Sequence, residues 1–209
     1  MTARIDHAVT AGTFSLDGQT FDVDNNVWVV GDDAECVVVD APHDVDAIRA
    51  VIGGRRVVAF LATHAHDDHV RVAPELAKAT GAPVLLHPAD RVLWDLVHPD
   101  VAPDGELADG QAVDVAGTTL RVLHTPGHSP GACSFYAPDL AAVFTGDTLF
   151  AGGPGATGRS YSDFGTIIAS IRTRLLTLPP ETAVHTGHGD STTIGAEAPQ
   201  LDEWLARGH

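Results

Sequence analysis

Apolar positions run along this chain in short blocks rather than long stretches. In the first 40 residues, Phe14, Phe21, Val23 and the block Val27 to Val30 are interrupted by Asp17-Gly18 and by Asp24-Asn25-Asn26. Both interruptions are turn signals, so this region predicts successive strands. Val37 to Val39 is a β-branched run ending at Asp40-Ala41-Pro42, and a helix is expected from Asp44 to Ile52, stopped by Gly53-Gly54. Val57 to Ala62 predicts a buried strand, Val70 to Thr80 a helix closed by Gly81, Pro83 to Leu86 a strand and Ala89 to Val97 a short helix. Hairpins are expected around Gly117 and around Pro138-Asp139. Ile167 to Leu178 predicts an amphipathic helix, Thr182 to His185 the last strand and Ala198 to Arg207 a closing helix. Strands first, then alternation, then strands again and helices last suggest two sheets with helices outside.

The length of 209 residues suits one domain over 1–209, and an apolar content of 44% can fill a core. The formal charge is −16, from 28 acidic and 12 basic residues, which argues against a polyanion such as nucleic acid as partner. Cys36 and Cys133 both sit in apolar runs and read as buried thiols in strands. No leader-like apolar segment opens the sequence and no run approaches the ~20 residues of a membrane span, so a cytoplasmic location away from the membrane is expected. Nothing in the sequence fixes the oligomeric state.

Chemistry concentrates in the histidines. His64, His66 and His69 fall within six residues together with Asp68, directly after an apolar strand. Imidazole with carboxylate suits zinc, iron or manganese rather than calcium. Three more strands run into short loops of one grammar, with glycine followed at once by a side chain able to hold a metal: Gly127-His128, Gly146-Asp147 and Gly187-His188. Strand ends on one sheet edge are where open α/β folds place their sites. Seven residues would then meet: His64, His66, Asp68, His69, His128, Asp147 and His188. They are too many for one tetrahedral ion and suit a pair, with His64, His66 and His128 on one, Asp68, His69 and His188 on the other, and Asp147 bridging. His124 and His185, on strands just ahead of these residues, read as packed or supporting, and His7, His43, His98 and His209 as peripheral. Asp67, inside the cluster, is assigned to neither ion.

The pattern His64-Ala65-His66-Asp67-Asp68-His69 with a later His, Asp and His is similar to the metallo-β-lactamase-fold hydrolases. The resemblance covers nearly the whole chain. The stretch from Phe144 through Gly155 and the segment His185-Thr-Gly-His-Gly-Asp-Ser-Thr-Thr-Ile-Gly195 resemble the glyoxalase II branch in particular. The resemblance implies an α/β (α+β) fold: a four-layer αβ/βα sandwich of two mixed sheets with helices on the outer faces. It implies two divalent metals, zinc first with iron or manganese also suited. It further implies that Asp40 steadies the metal-binding loop. Two departures stand out. The basic C-terminal helical region of larger glyoxalase II enzymes is not found after His188. The segment after Asp147 reads Gly155-Ala156-Thr157-Gly158-Arg159-Ser160-Tyr161-Ser162-Asp163 where relatives carry Gly-Arg-Thr-Asp. Arg159 and Tyr161 are therefore the candidates for substrate contact.

The activity so implied is hydrolysis of a small-molecule thioester, a lactoyl or formyl ester of glutathione, mycothiol or another low-molecular-weight thiol. A metal-bridging hydroxide would attack, with Asp68 both ligand and catalytic group. The alternatives are an iron persulfide dioxygenase using residues matching His64, His128 and Asp147, and another small-molecule metallo-hydrolase of lactonase or lactamase type. Exported β-lactamases of this fold generally lack the bridging Asp, and the charge of −16 disfavours the tRNA-processing relatives. A non-catalytic metal-stabilised module is the remaining class, although structural zinc sites are usually closed and Cys-rich.

Overall fold

The structure is a computed structural model and describes residues 2–208. The strands are β1 (Arg4–Leu16), β2 (Gln19–Gly31), β3 (Glu35–Val39), β4 (Arg56–Leu61), β5 (Val84–Leu86), β6 (Gly105–Glu106), β7 (Ala112–Val115), β8 (Thr118–His124), β9 (Cys133–Ala137), β10 (Ala142–Gly146), β11 (Leu149–Phe150), β12 (Gly153–Pro154), β13 (Ala183–Thr186) and β14 (Thr192–Thr193). The helices are α1 (Val45–Ile52), α2 (Asp67–Val70), α3 (Ala73–Thr80), α4 (Arg91–Val97), α5 (Phe164–Ser170), α6 (Ile194–Glu197) and α7 (Leu201–Arg207).

Two six-stranded mixed sheets form, ordered β1-β2-β3-β4-β5-β6 and β14-β13-β10-β9-β8-β7. Alternation along each strand explains the layering, because successive side chains point to opposite faces. Trp28, Val30, Val37, Val39 and Leu61 of the first sheet meet Leu120, Val122, Phe135 and Phe144 of the second in one central core. Their neighbours Val27, Val29, Cys36, Val38 and Phe60 face the other way, onto Ile48, Leu76 and Trp94 from α1, α3 and α4. Val143 and Val184 likewise face Ile167, Ile168 and Trp204 from α5 and α7. The result is the expected αβ/βα sandwich. Both thiols are buried and free in its strands. No helix among the described residues is long and apolar enough to cross a membrane.

Several element boundaries differ from the sequence expectation for local reasons. Asp24-Asn25-Asn26 is not a turn: β2 runs straight through it, and Asn25 and Asn26 are buried with their amides hydrogen-bonded. The helix expected over 70–80 is two helices, α2 and α3, broken at Arg71-Val72 ahead of Pro74, whose missing N–H suits a helix start. The closing helix expected from Ala198 opens instead as a 3₁₀ turn over Ala198–Gln200 that contains Pro199, and α7 begins at Leu201. The Ile167–Leu178 helix starts earlier, at Phe164, because the Asp163 carboxylate caps it by accepting from the Thr166 N–H at 2.7 Å. It ends as a π-helical turn over Ile171–Leu175. His209 lies outside the described residues.

Candidate metal centre

The loops that leave β4, β8, β10 and β13 converge at one edge of the sandwich. They bring together all seven residues singled out by the histidine pattern. His66 Nδ1 lies 3.0 Å from His64 Nε2 and 3.0 Å from His128 Nε2. Beside this triad, His188 Nε2 lies 3.2 Å from Asp68 Oδ2 and 3.3 Å from His69 Nε2. Asp147 stands between the two groups: its Oδ2 is 3.6 Å from His128 Nε2 and 3.4 Å from His188 Nε2, and its Oδ1 is 3.4 Å from His69 Nε2.

The hydrogen bonds on the outer ring nitrogens say which atoms face inward. His64 Nδ1 pairs with Thr63 Oγ1 at 3.0 Å, and that hydroxyl donates onward to Asp40 Oδ2 at 2.9 Å. His69 Nδ1 donates to Asp40 Oδ2 at 2.8 Å, His128 Nδ1 to the Ala156 carbonyl at 2.9 Å, and His188 Nδ1 to the Asp24 carbonyl at 2.8 Å. In all four rings the Nδ1 proton is used outside, so Nε2 is the nitrogen that faces inward. His66 is reversed, with Nδ1 inward. Lone pairs packed this closely repel one another unless a cation lies among them. A tetrahedral ion with bonds of ~2.0–2.1 Å sets its ligand atoms about 3.4 Å apart, and the separations here bracket that value. His66 Nε2, Asp68 Oδ1 and Asp147 Oδ1 are also buried with no hydrogen-bond partner. A pair of divalent ions therefore fits the residues present.

Charge supports the same division. Burial, then His69 and the other imidazoles, holds His64 well below the ordinary imidazole value, and burial with His128 brings His66 to about 3. In the second group burial acts the other way from the outcome. It opposes charge on His188, but Asp147 and Asp68 outweigh it and raise the ring to about 10. Burial would raise Asp68, yet His69 and the His188 hydrogen bond pull it to about 2. The first triad is a neutral nitrogen site and the second a carboxylate-rich one.

Asp40 has a positive φ of 63° at the end of β3, and its Oδ1 accepts from the Thr63 N–H at 2.7 Å. It thus ties the loop after β4 to the His69 ring. Asp67 stays out of the centre: it accepts from the Ser15 N–H at 3.0 Å and pairs with Arg71 at 2.5 Å. His124 stacks on His87 with centroids 4.1 Å apart, and His185 packs 4.3 Å from Trp28, both away from the ligand atoms. His43 is not peripheral, because its Nε2 donates to Asn25 Oδ1 at 2.8 Å. Arg159 lines the cavity above the centre, but Tyr161 does not: it is 46% exposed and contributes nothing to the cavity wall.

Two groups at the site escaped the sequence reading. Asn25 Nδ2 donates to Asp68 Oδ2 at 3.1 Å and lies within 3.4 Å of both His69 Nε2 and His188 Nε2. Asp90 is fully buried and accepts from the Ala65 N–H at 2.9 Å, the Ser129 hydroxyl at 2.8 Å and the Gly131 N–H. Burial raises its carboxyl above the usual range despite those bonds. Gly187 has a clear spatial reason, since a methyl there would overlap Asp147 Oδ1 and sit 2.8 Å from His69 Cε1.

A sandwich of this topology with a histidine–carboxylate cluster at its edge defines a metal-binding protein of hydrolase type. The chain belongs to the metallo-beta-lactamase superfamily, whose family model matches residues 20–188. It is 36% identical over 152 residues to the hydroxyacylglutathione hydrolase GloC of Haemophilus influenzae, covering 66% of this chain and 71% of that one. Among solved structures it is similar to the BLEG-1 B3 metallo-beta-lactamase, with a TM-score of 0.78 and 30% identity over 91% of this chain and 97% of the other. It is also similar to TTHA1623 in a di-iron-bound form, with a TM-score of 0.73 and 36% identity over 90% and 96% of the two chains.

Proposed function

We propose that this protein hydrolyses a small thioester, an S-lactoyl or S-formyl ester of a low-molecular-weight thiol, in the cytoplasm. The observation that carries the reading is Asp147 standing between two complete ligand groups at the floor of a cavity of about 210 Å³. His64, His66 and His128 would hold one divalent ion, Asp68, His69 and His188 the other, and Asp147 would touch both. Such a pair acidifies water to a pKa near ~7 and polarises a carbonyl. Asp68 keeps Oδ1 free of other partners, so it can accept a hydrogen bond from the attacking water and orient it. Phe14, Leu16, Phe21 and Val23 give the cavity an apolar wall. Water adds to the carbonyl, the carbon–sulfur bond breaks, and acid and thiol leave. The likeness to a hydroxyacylglutathione hydrolase supports this choice of substrate.

The test is thiol release from S-lactoyl and S-formyl esters of glutathione and of mycothiol, before and after chelation. No release from any of them refutes the thioesterase reading. A lactone and a β-lactam belong in the same panel. The competing iron persulfide dioxygenase predicts one iron per chain and oxygen uptake on a thiol persulfide. The complete second triad favours two ions.

A further inference from the structure

One residue of the histidine run has no part in the metal centre, and its bonds lead elsewhere. Asp67 stands between His66 and Asp68 at the start of α2. Its Oδ1 accepts from the Ser15 N–H at 3.0 Å, and its Oδ2 pairs with Arg71 Nη2 at 2.5 Å, four residues on. The same guanidinium donates to the Thr13 carbonyl at 2.7 Å and to Thr13 Oγ1 at 3.2 Å. β1 is the edge strand of its sheet, and Phe14, between these two residues, pairs with Phe21 of β2. Thr13 and Ser15 therefore turn a carbonyl and an N–H outward, the groups that an added strand would take. Asp67 and Arg71 take both of them with one carboxylate and one guanidinium, whose fork suits two acceptors at once. Phe14 packs against the His66 ring, with centroids 5.1 Å apart, and lines the cavity together with Leu16, Phe21 and Val23.

We propose that Asp67 and Arg71 are positioning residues that clasp the β1–β2 hairpin onto the metal-binding loop and so set the substrate-facing wall of the cavity. That this wall faces a substrate rests on the hydrolase reading of the centre. The clasp is short, because Asp67 is bonded in the chain to His66 and Asp68, which belong to different ligand groups. Ions held by those two neighbours fix the first turn of α2, and that turn carries the carboxylate that holds Ser15. Gln19 to Asp22, beyond the clasp, are exposed, and the tip is tied separately to Ser160, whose N–H donates to Asp17 Oδ2 at 3.0 Å. An exposed strand edge with few packed neighbours opens readily, so the clasp is what keeps Phe14 and Phe21 seated over the centre. Removing the ions should loosen the hairpin through the same residue.

Hydrogen exchange followed by mass spectrometry, on the protein purified with its metals, reads the clasp without turnover. Arg71→Met should speed exchange of residues 13–23 about 10-fold, the equivalent of one net hydrogen bond, and leave the remote β7–β8 hairpin unchanged. Arg71→Lys keeps the charge and a donor but not the fork, and should fall between. Chelation should speed the same segment in wild type and add little in Arg71→Met. In the thioester assay Arg71→Met should raise KM about 3–10-fold and leave kcat within about twofold, because the wall touches substrate and not the reacting bond. Wild-type exchange of residues 13–23 in Arg71→Met, or a rise spread evenly over the chain, overturns the inference. So does a hairpin whose exchange ignores chelation, or a loosened hairpin with KM at the wild-type value. If no thioester is cleaved at all, the thioesterase reading fails, while the exchange pattern still decides the clasp.

Discussion

Asp90→Ala removes a carboxylate that no metal would touch, yet it should weaken the metal centre. The Asp90 carboxylate joins Ala65, between His64 and His66, to Ser129 and Gly131, just after His128. It therefore holds the two loops that supply the whole first triad at their mutual distance. Each hydrogen bond to a charged acceptor contributes ~1.5–3 kcal/mol. Part of the sum offsets the cost of burying the carboxylate, so a net loss of about 3–5 kcal/mol is expected. For a chain of this size that lowers Tm by roughly 6–20 °C. Metal affinity should fall about 10–100-fold, as when other groups that orient metal ligands are removed. The assay is competition with a chromophoric chelator, run well below the variant's Tm so that unfolding does not enter. Asp90→Asn keeps the volume and one carbonyl acceptor, and should lose less in both measurements. The reasoning is refuted if Asp90→Ala loses stability as stated while its chelator competition matches wild type.

Asp147→Ala should lose one or both ions and at least about 10²-fold in turnover, because one carboxylate serves both groups; elemental analysis checks the first and the thioester assay the second. His185 is held to about 4, first by burial and then by the charge of His7, so it is neutral in the fold and takes up a proton more readily when unfolded. Its contribution to stability is complete above pH ~6.5, is lost as pH falls toward ~4, and amounts to roughly 1–2 kcal/mol after allowing for its partial exposure. The Tm decrease from pH 7 to 4 should accordingly be about 2–8 °C smaller in His185→Phe than in wild type, by calorimetry.

The pattern of residues exposed the candidate ligands far better than the groups that support them. Candidate ligands come from a few residue types, His, Asp, Glu and Cys, and glycine stands directly before His128, Asp147 and His188, so type and spacing together pointed to the seven residues that the fold gathers. The layering was legible as well, because alternation in runs such as Cys36 to Val39 reports both faces of a doubly covered strand. Supporting groups other than Asp40, to which the family resemblance pointed, leave no such mark. Asp90 sits in a helical run where an acid is ordinary, and only the fold brings Ser129 to it. Tyr161 shared a loop with Arg159, but a positive φ of 70° accompanies a side chain turned out to solvent.

Asn25 shows how that kind of signal fails, and it yields the sharpest site-specific expectation. Asp-Asn-Asn ordinarily favours a turn because these side chains bond their own backbone. Here β2 stays extended because both amides find distant partners instead: Asn26 bonds the Thr186 and Gly189 carbonyls, and Asn25 the second ligand group. Asn25 has two amide protons facing three ligand atoms, while its oxygen is held by His43. It can thus orient Asp68, His69 and His188 but has no contact with the first triad. Asn25→Ala leaves His43 Nε2 without its acceptor and Asp68 Oδ2 with one donor fewer, a loss of about 1–3 kcal/mol. The selective effect should fall on the second ion: metal content drops from two per chain toward one, with His64, His66 and His128 still loaded. Equal depletion of both ions, or full retention of two, would show that this amide does not organise the second group.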